Sequence, residues 1–294
     1  MKVEAHHCFV CPLDGKLLAI TDTAAQCASG HFFDRAREGY FNLLPVQHKA
    51  SRQPGDDQTM VSARRRILDD GLFAPVAIVV FERLREYALE VRKWAPLRVV
   101  DAGCGEGYYL DYIVTAAAAS SDTGSLEVAG YDISKWAVRA AARRNPDLAW
   151  AVASNRQPPF AANTIDLMLS LFGFPHWPAF EAVLMPRGRV LLVDAGAEHL
   201  IELRKLIYAQ TEPTAPPLPR ETVARGWRLV NEQAVEYQVQ LNSTAQIQAL
   251  LAMTPHGHRI AADRRAAMAQ MHSAEVTISV VCRVLESPAM SPQC

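Results

Sequence analysis

The sequence predicts an α/β protein, an open twisted sheet wound with helices and preceded by a small cysteine-bearing module. Three observations carry this. From Leu97 onward, short apolar runs alternate with amphipathic stretches, the pattern of parallel strands covered on both faces. A glycine-rich stretch, VVDAGCGEGYY (99–109), joins the first of those runs to the first helix. Three of the six cysteines crowd into the first 27 residues.

The elements follow in order. Residues 1–40 hold three cysteines and several histidines in short apolar runs with little periodicity. Residues 41–95 begin as a polar, basic linker, QHKASRQPGDD, and turn helical at TMVSARRRILDDGL and PVAIVVFERLREYALEVRKW. Residues 96–285 form the main domain. LRVVDA (97–102) predicts a strand and YYLDYIVTAAAA (108–119) a helix. SLEVAGYD (125–132) is the next strand, and SKWAVRAAARR (134–144) a helix that Ser134 can cap. Strands follow at 148–154, 164–172 and 187–196, then a helix at 198–210 and a Pro-rich loop at 211–220. Beyond these lie a strand-like WRLVNEQAVEYQVQL, helices at QIQALLAM and near 261–272, and a last strand, VTISVVCRVL. Residues 286–294 are expected to form a flexible tail.

The chain has 294 residues, is 50% hydrophobic and 21% charged, and carries a net charge of −1, so any nucleic-acid surface must be local. No apolar run reaches the ~18 residues of a membrane span, and MKVEAHHCF lacks a signal-peptide core, which predicts a cytoplasmic protein.

In an open α/β sheet, ligands sit beyond the carboxyl ends of the strands. The loop after LRVVDA is such a place, and Gly103, Gly105 and Gly107 let a ligand approach its backbone. Its G-x-G-x-G spacing differs from the dinucleotide G-x-G-x-x-G, and no Lys-Ser/Thr pair follows to make a P-loop. Asp101 stands where a carboxylate meets a cationic group, and Asp132, ending the next strand, can accept hydrogen bonds from ribose hydroxyls. An adenosine with a cationic amino-acid tail, S-adenosylmethionine, fits both acids. The motif resembles motif I of class I methyltransferases, a Rossmann-like fold; a dinucleotide fold or a structural turn is the competing reading.

Cys8-x2-Cys11 and, fifteen residues on, Cys27-x3-His31 offer three thiolates and an imidazole. Four protein ligands close a tetrahedron, as in structural zinc sites. His6 or His7 in place of His31, or a reduced metal-free cluster, are the alternatives.

These motifs, together with GYFNLLPVQHKASRQPGD, ARRRILDDGLFAPV, YDISKWAVRAAARRNP, EHLIELRKLIY and LLAMTPHGHR, make the chain similar to the bacterial 23S ribosomal RNA guanine-N1 methyltransferases along almost its whole length. The resemblance implies a zinc domain joined to a class I methyltransferase domain, a homodimer, and methylation of a guanine in a hairpin loop of 23S RNA. It places the zinc ligands on Cys8, Cys11, Cys27 and His31, and the cofactor on Gly105, Glu106, His199 and an aromatic, here Phe73 where the family often has Tyr. Class I enzymes often hydrogen-bond the adenine after the third strand, where Ser154 and Asn155 stand. MPRGR replaces the usual K-P-G-G, and TIDLMLSLFGFPHW departs from the family where its target-base loop lies.

Several residues admit two readings. Glu106 can start a helix or touch the ligand. His199 can be structural or a cofactor contact. Phe172, Phe174 and Trp177 can stack a splayed base or pack beneath the next helix. Lys49, Arg52, Arg64, Arg65 and Arg66 can form a solvated face or bind RNA phosphate. His176, on the loop facing the methyl donor, is the candidate base for the N1 proton. Two rivals remain: a small-molecule methyltransferase, which needs neither zinc module nor basic linker, and a non-catalytic zinc-bearing RNA-binding protein, which predicts a degenerate cofactor loop.

Overall fold

The structure, a computed structural model, describes residues 1–289 except 49–50, 52–53, 92–94, 121, 123, 209–215, 255–259, 261–263 and 265–267. In chain order the elements are β1 (Lys2–Ala5), β2 (Leu18–Ile20), β3 (Ala24–Cys27), β4 (Phe32–Asp34), β5 (Phe41–Asn42), α1 (Gln58–Asp69), α2 (Ala74–Val91), β6 (Leu97–Ala102), α3 (Tyr108–Ala119), β7 (Ser125–Asp132), α4 (Lys135–Arg144), β8 (Ala149–Val152), β9 (Ile165–Leu171), α5 (Trp177–Val183), β10 (Leu184–Ala195), α6 (Ile201–Ile207), α7 (Arg220–Ala224), β11 (Arg228–Leu241), α8 (Thr244–Ala252) and β12 (Ala274–Glu286). Local signals set the helix starts. Asp57 accepts from the Met60 amide ahead of α1, and Ser134 from the Ala137 amide ahead of α4. Half of the helix expected near 261–272 lies outside the described residues. No helix among the described residues is long and apolar enough to cross a membrane.

The large sheet runs in the order β11-β12-β10-β9-β6-β7-β8-β5, and β2-β3-β4 form a separate three-stranded sheet. Pairing is parallel from β10 through β5 and turns antiparallel at β12 and β11. Two strands come from unexpected places. β1 pairs with the first half of β7, Lys2 opposite Ser125 through Ala5 opposite Val128, and β8 takes the second half. β5, within the expected linker, adds a parallel strand beside β8. At the other end, where a loose tail is expected from 286, Glu286 closes β12, and the buried Ser287 donates its amide to Gly188 O at 2.8 Å.

Neighbouring strand residues divide between two cores, as period-2 alternation requires. Leu97, Val99, Leu167, Leu169, Leu191 and Val193 join the core formed with α1–α4, α6 and α8. Val100, Ala102, Met168, Val190 and Leu192 join the second core. That second face is covered by α5, by Trp227 and by the cysteine module, whose Phe9, Leu18 and Ala25 belong to the same cluster. The module therefore does the work that a helix layer does in an ordinary doubly wound sheet.

Close packing of strand on strand is visible at Gly130. A Cβ there would lie 2.7 Å from Trp150 Cε3 and closer still to Cζ3. The indole is held, buried, by its own hydrogen bond to Asn145 O at 2.8 Å. Gly130→Ala should destabilise the fold by about 2–3 kcal/mol, read as a lower urea midpoint with an unchanged slope. A change within about 0.5 kcal/mol would show that Trp150 can move aside.

Candidate active site and metal centre

The glycine loop leaves β6 between two acids. Gly103, at φ +82°, has nothing among the described residues within 4 Å of a would-be Cβ. The amides of Gly103 and Cys104 donate to Tyr131 O at 2.8 and 3.0 Å. Asp132 accepts from the Gly105 amide at 3.0 Å and the Ser134 amide at 2.8 Å, so this acid shapes the loop. Burial pushes the Asp132 carboxyl up, and those two amides hold it back. Each carboxylate oxygen keeps acceptor capacity for a ribose hydroxyl.

Asp101 lies at 1% exposure beneath the loop, and its Oδ1 has no hydrogen-bond partner among the described residues. Burial, with Asp132 as the second cause, pushes its carboxyl up to about 7. Tyr109 Oη and Ser170 Oγ are also buried and unpartnered. A lone buried carboxylate is costly unless a cation meets it, and an open glycine loop above it leaves room for one. These residues fit the ammonium-bearing tail of S-adenosylmethionine.

Around this floor stand rings from distant segments. Phe73 lies 5.8 Å from Phe172, edge to face, and 6.1 Å from His199. Phe172 lies 6.0 Å from His199 and 6.5 Å from Tyr109. His199 Nδ1 accepts from the Ser279 amide at 3.3 Å, which orients the ring. The structure thus gathers Phe73 and His199, 126 positions apart, and adds Tyr109 and Phe172. Phe172 adopts φ +55°, a left-handed bend for a bulky residue, just past the end of β9.

The two readings of the aromatic loop divide by residue. Trp177 is buried and packs on Trp227 at 5.2 Å and Phe180 at 6.4 Å. Phe174 is 91% exposed, and its carbonyl accepts from Asn155 Nδ2 at 2.9 Å, which ties the loops after β8 and β9 together. Ser154 Oγ accepts from the Arg156 amide at 3.2 Å. His176 caps α5, its Nδ1 taking the Ala179 amide at 3.4 Å, which puts the imidazole hydrogen on Nε2 in the neutral ring.

Glu106 sits between two glycines yet turns away from the open side. It is buried and pairs with Arg144 at 2.6 Å, while Arg144 also holds Asp69 at 2.7 Å. Burial pushes the Glu106 carboxyl up, and Arg144 opposes this. Its backbone belongs to the cofactor loop; its side chain joins the loop to α4 and α1. Of the basic residues, Lys49 and Arg52 lie outside the described residues. The helical twist separates the other three, at about 100° per residue. Arg66 is exposed, Arg65 pairs with Asp69 at 3.4 Å, and Arg64 pairs with Asp56 and lies against Gly105. Spacing in sequence could not separate them, because which side of α1 meets the glycine loop is a tertiary matter.

In the cysteine module, Cys11, Cys27, His31 and Asp14 bring ligand atoms within 4.8 Å of one another. His31 Nδ1 lies 3.4 Å from each of the sulfurs of Cys11 and Cys27. A tetrahedral zinc ion with ordinary bond lengths sets a sulfur–nitrogen edge of about 3.6 Å, so these donors fit one. Cys8 is exposed and stands outside this cluster. The chain turns inward only after it: His7 and Cys8 are exposed, whereas Phe9, Val10 and Cys11 are buried, with Phe9 bridged to Phe160. Asp14 comes instead, 3.5 Å from His31 Nδ1 and accepting from Cys27 Sγ at 3.6 Å. No metal-ligand spacing in the sequence pointed to Asp14.

The chain matches known families in two places. Residues 9–52 match the family described as "RlmA, N-terminal", a zinc ribbon, and residues 99–207 match "Methyltransferase domain". The chain is 30% identical over 289 residues to the "Putative 23S rRNA (guanine-N(1)-)-methyltransferase YxjB" of Bacillus subtilis (strain 168), covering 92% of this chain and 94% of that protein. It is 29% identical over 291 residues to a Micromonospora griseorubida protein of the same description without the gene name, covering 93% and 95%. It is 34% identical over 195 residues to the "23S rRNA (guanine(748)-N(1))-methyltransferase" of Streptomyces fradiae, covering 66% of this chain and 65% of that protein. The ribbon takes a structural zinc ion and the larger domain takes S-adenosylmethionine, in agreement with the donor sets described above. The chain is an S-adenosylmethionine-dependent methyltransferase, and it belongs to the family of 23S rRNA (guanine-N1)-methyltransferases.

Proposed function

We propose that this protein transfers a methyl group to N1 of a guanine in a hairpin loop of 23S rRNA, in the cytoplasm and as a homodimer. The observation that carries the reading is the exposed Phe174, presented on the loop beside an acid-floored, ring-walled cofactor site. An unstacked base needs such a platform, and N1 lies on the pairing edge, so the guanine must be out of a helix to react. The family relationship supports the choice of atom and RNA.

S-adenosylmethionine supplies a methyl group on a cationic sulfur; the protein need not activate it. Asp101 takes the ammonium and Asp132 the ribose hydroxyls, while Phe73, Phe172 and His199 exclude water and Ser154 and Asn155 border the adenine. Glu106 serves through its backbone and through the Arg144 pair that fixes the loop. Positioning the acceptor nitrogen in line is then the main task. Guanine N1 must lose its proton as the new N–C bond forms, and His176 is the proposed acceptor. To act through Nε2 the ring must first release the Ala179 amide, and at 3.4 Å that contact is weak. Lys49, Arg52, Arg65 and Arg66 hold the RNA backbone. In the ribbon, Cys8 turns inward to join Cys11, Cys27 and His31, displacing Asp14.

Incubation with methyl-labelled cofactor and unmodified 23S RNA should place label on one guanine and stop primer extension beside it. Label on another base atom, or only on small molecules, rejects the proposal. In the same assay His176→Ala should lower kcat by about 10²-fold; an unchanged rate would move the base elsewhere.

A further inference from the structure

Arg64 stands in an unusual place for a helix-surface arginine. Among the described residues, and apart from its chain neighbours, the atoms within 4 Å of a would-be Cβ at Gly105 are Arg64 Nη1 at 3.7 Å and Cδ at 3.9 Å, so the guanidinium overhangs the cofactor loop. Its side chain is 26% exposed and pairs with Asp56 at 2.5 Å. A second, longer contact runs from Nη2 to Met253 O at 3.5 Å. Asp56 is itself placed over the site, its carbonyl accepting from Ser134 Oγ at 2.6 Å. The charge of Arg64 reaches the Asp132 carboxyl and the unpartnered Tyr109 hydroxyl, and Tyr109 in turn lies in the field of Asp101.

The loop is therefore flanked by a buried acid, one of whose oxygens has no partner among the described residues, and by a half-buried cation. An α-amino acid carries one ammonium and one carboxylate on the same carbon, which is the complement of that arrangement. We propose that Arg64 is a cofactor-binding residue that grips the α-carboxylate of the methionine tail while Asp101 takes its ammonium. This rests on the cofactor reading above and gives Arg64 a task different from RNA phosphate. Arg64 has five donors in a planar fork, so it can hold a ligand carboxylate while sharing or releasing Asp56.

The experiment compares two ligands by calorimetry. S-adenosylhomocysteine has the amino-acid tail; 5′-methylthioadenosine has the same nucleoside and thioether without it. Arg64→Gln should weaken S-adenosylhomocysteine by roughly ten- to a hundredfold, the value of a charge-assisted hydrogen bond pair. Methylthioadenosine should change less than about twofold, because it offers nothing for Arg64 to hold. Asp56→Asn removes the competing carboxylate and should leave S-adenosylhomocysteine binding unchanged or tighter. This variant keeps the test decisive even if Arg64→Gln folds poorly. Equal weakening of both ligands by Arg64→Gln would mean that Arg64 acts only by shaping the loop, and would overturn the proposal. So would a loss for Asp56→Asn, or a variant whose only defect is a reduced salt slope of RNA binding. Wild-type protein binding neither ligand would instead sink the cofactor reading itself.

Discussion

Asp101→Asn should weaken S-adenosylhomocysteine binding by about 10²-fold at pH 8, because the amide cannot meet the ligand's ammonium with a charge. The wild-type pH profile should carry the same signature. In the empty protein burial holds the Asp101 carboxyl up at about 7, so below that pH each binding event must first remove a proton. Affinity should fall by about tenfold per pH unit below about 7 and level off above it, and Asp101→Asn should flatten the profile. Stability moves the other way. The folded acid titrates near 7 against an ordinary value of 3.8, so the folded state holds an extra proton between those values. Stability of the ligand-free protein should therefore decline as pH rises from about 4 to about 7 and stay flat above. At pH 8 the Asn variant should be the more stable protein, by an amount on the order of a few kcal/mol. Calorimetric titration and urea unfolding across this range check both slopes. Unchanged affinity in the variant would remove Asp101 from the site.

Stripping zinc should unfold the ribbon and reach well beyond it. Small metal modules draw most of their folding free energy from the ion. Here Phe9, Leu18, Ala25, Cys11 and Cys27 share one core with Val100, Ala129, Tyr131 and Phe160 of the large domain. Further ties cross the boundary: Gln157 Nε2 donates to Pro12 O at 2.8 Å, and Glu38 holds Arg139 at 2.7 Å and Arg143 at 2.9 Å. Chelation should lower Tm by about 10 °C or more and expose apolar surface to a dye such as ANS. Cys27→Ser and His31→Ala should drop zinc from about one ion per chain to none. Cys8→Ser should lose the ion as well, whereas Asp14→Asn should keep it. The reverse pair of results would make Asp14 the fourth ligand. A chelated protein with unchanged melting would show that the ribbon folds on its apolar contacts alone.

Much of the main domain could be read directly. The strands at 97–102 and 125–132 and the helix at 108–119 carry their own signals: continuous β-branched or apolar runs, a glycine bend and an amphipathic repeat. Ser134 marks a helix start through a local hydrogen bond that depends on four residues. By contrast, β1 and β5 are four and two residues long, too short for any periodic signal, and acquire strand structure only from β7 and β8. The helix α5 went unforeseen because its seven residues are started by a histidine cap rather than the usual Ser, Asp or Asn. The antiparallel turn at β12 was hidden because strand direction is not a property of composition.

The chemistry was written along the chain: two acids bracketing a glycine bend, and three thiols with an imidazole at short spacings. Those are facts of short stretches, since each set can be read within about thirty residues of chain. Which of them meet was decided by packing. The fold faces Glu106 towards Arg144, turns Arg64 over Gly105, leaves Phe174 outside while burying Trp177, and lays the ribbon across the open face of the sheet. Each of these outcomes depends on which side of one element is pressed against another, and a burial free energy summed over distant partners settles that, not any single stretch of sequence.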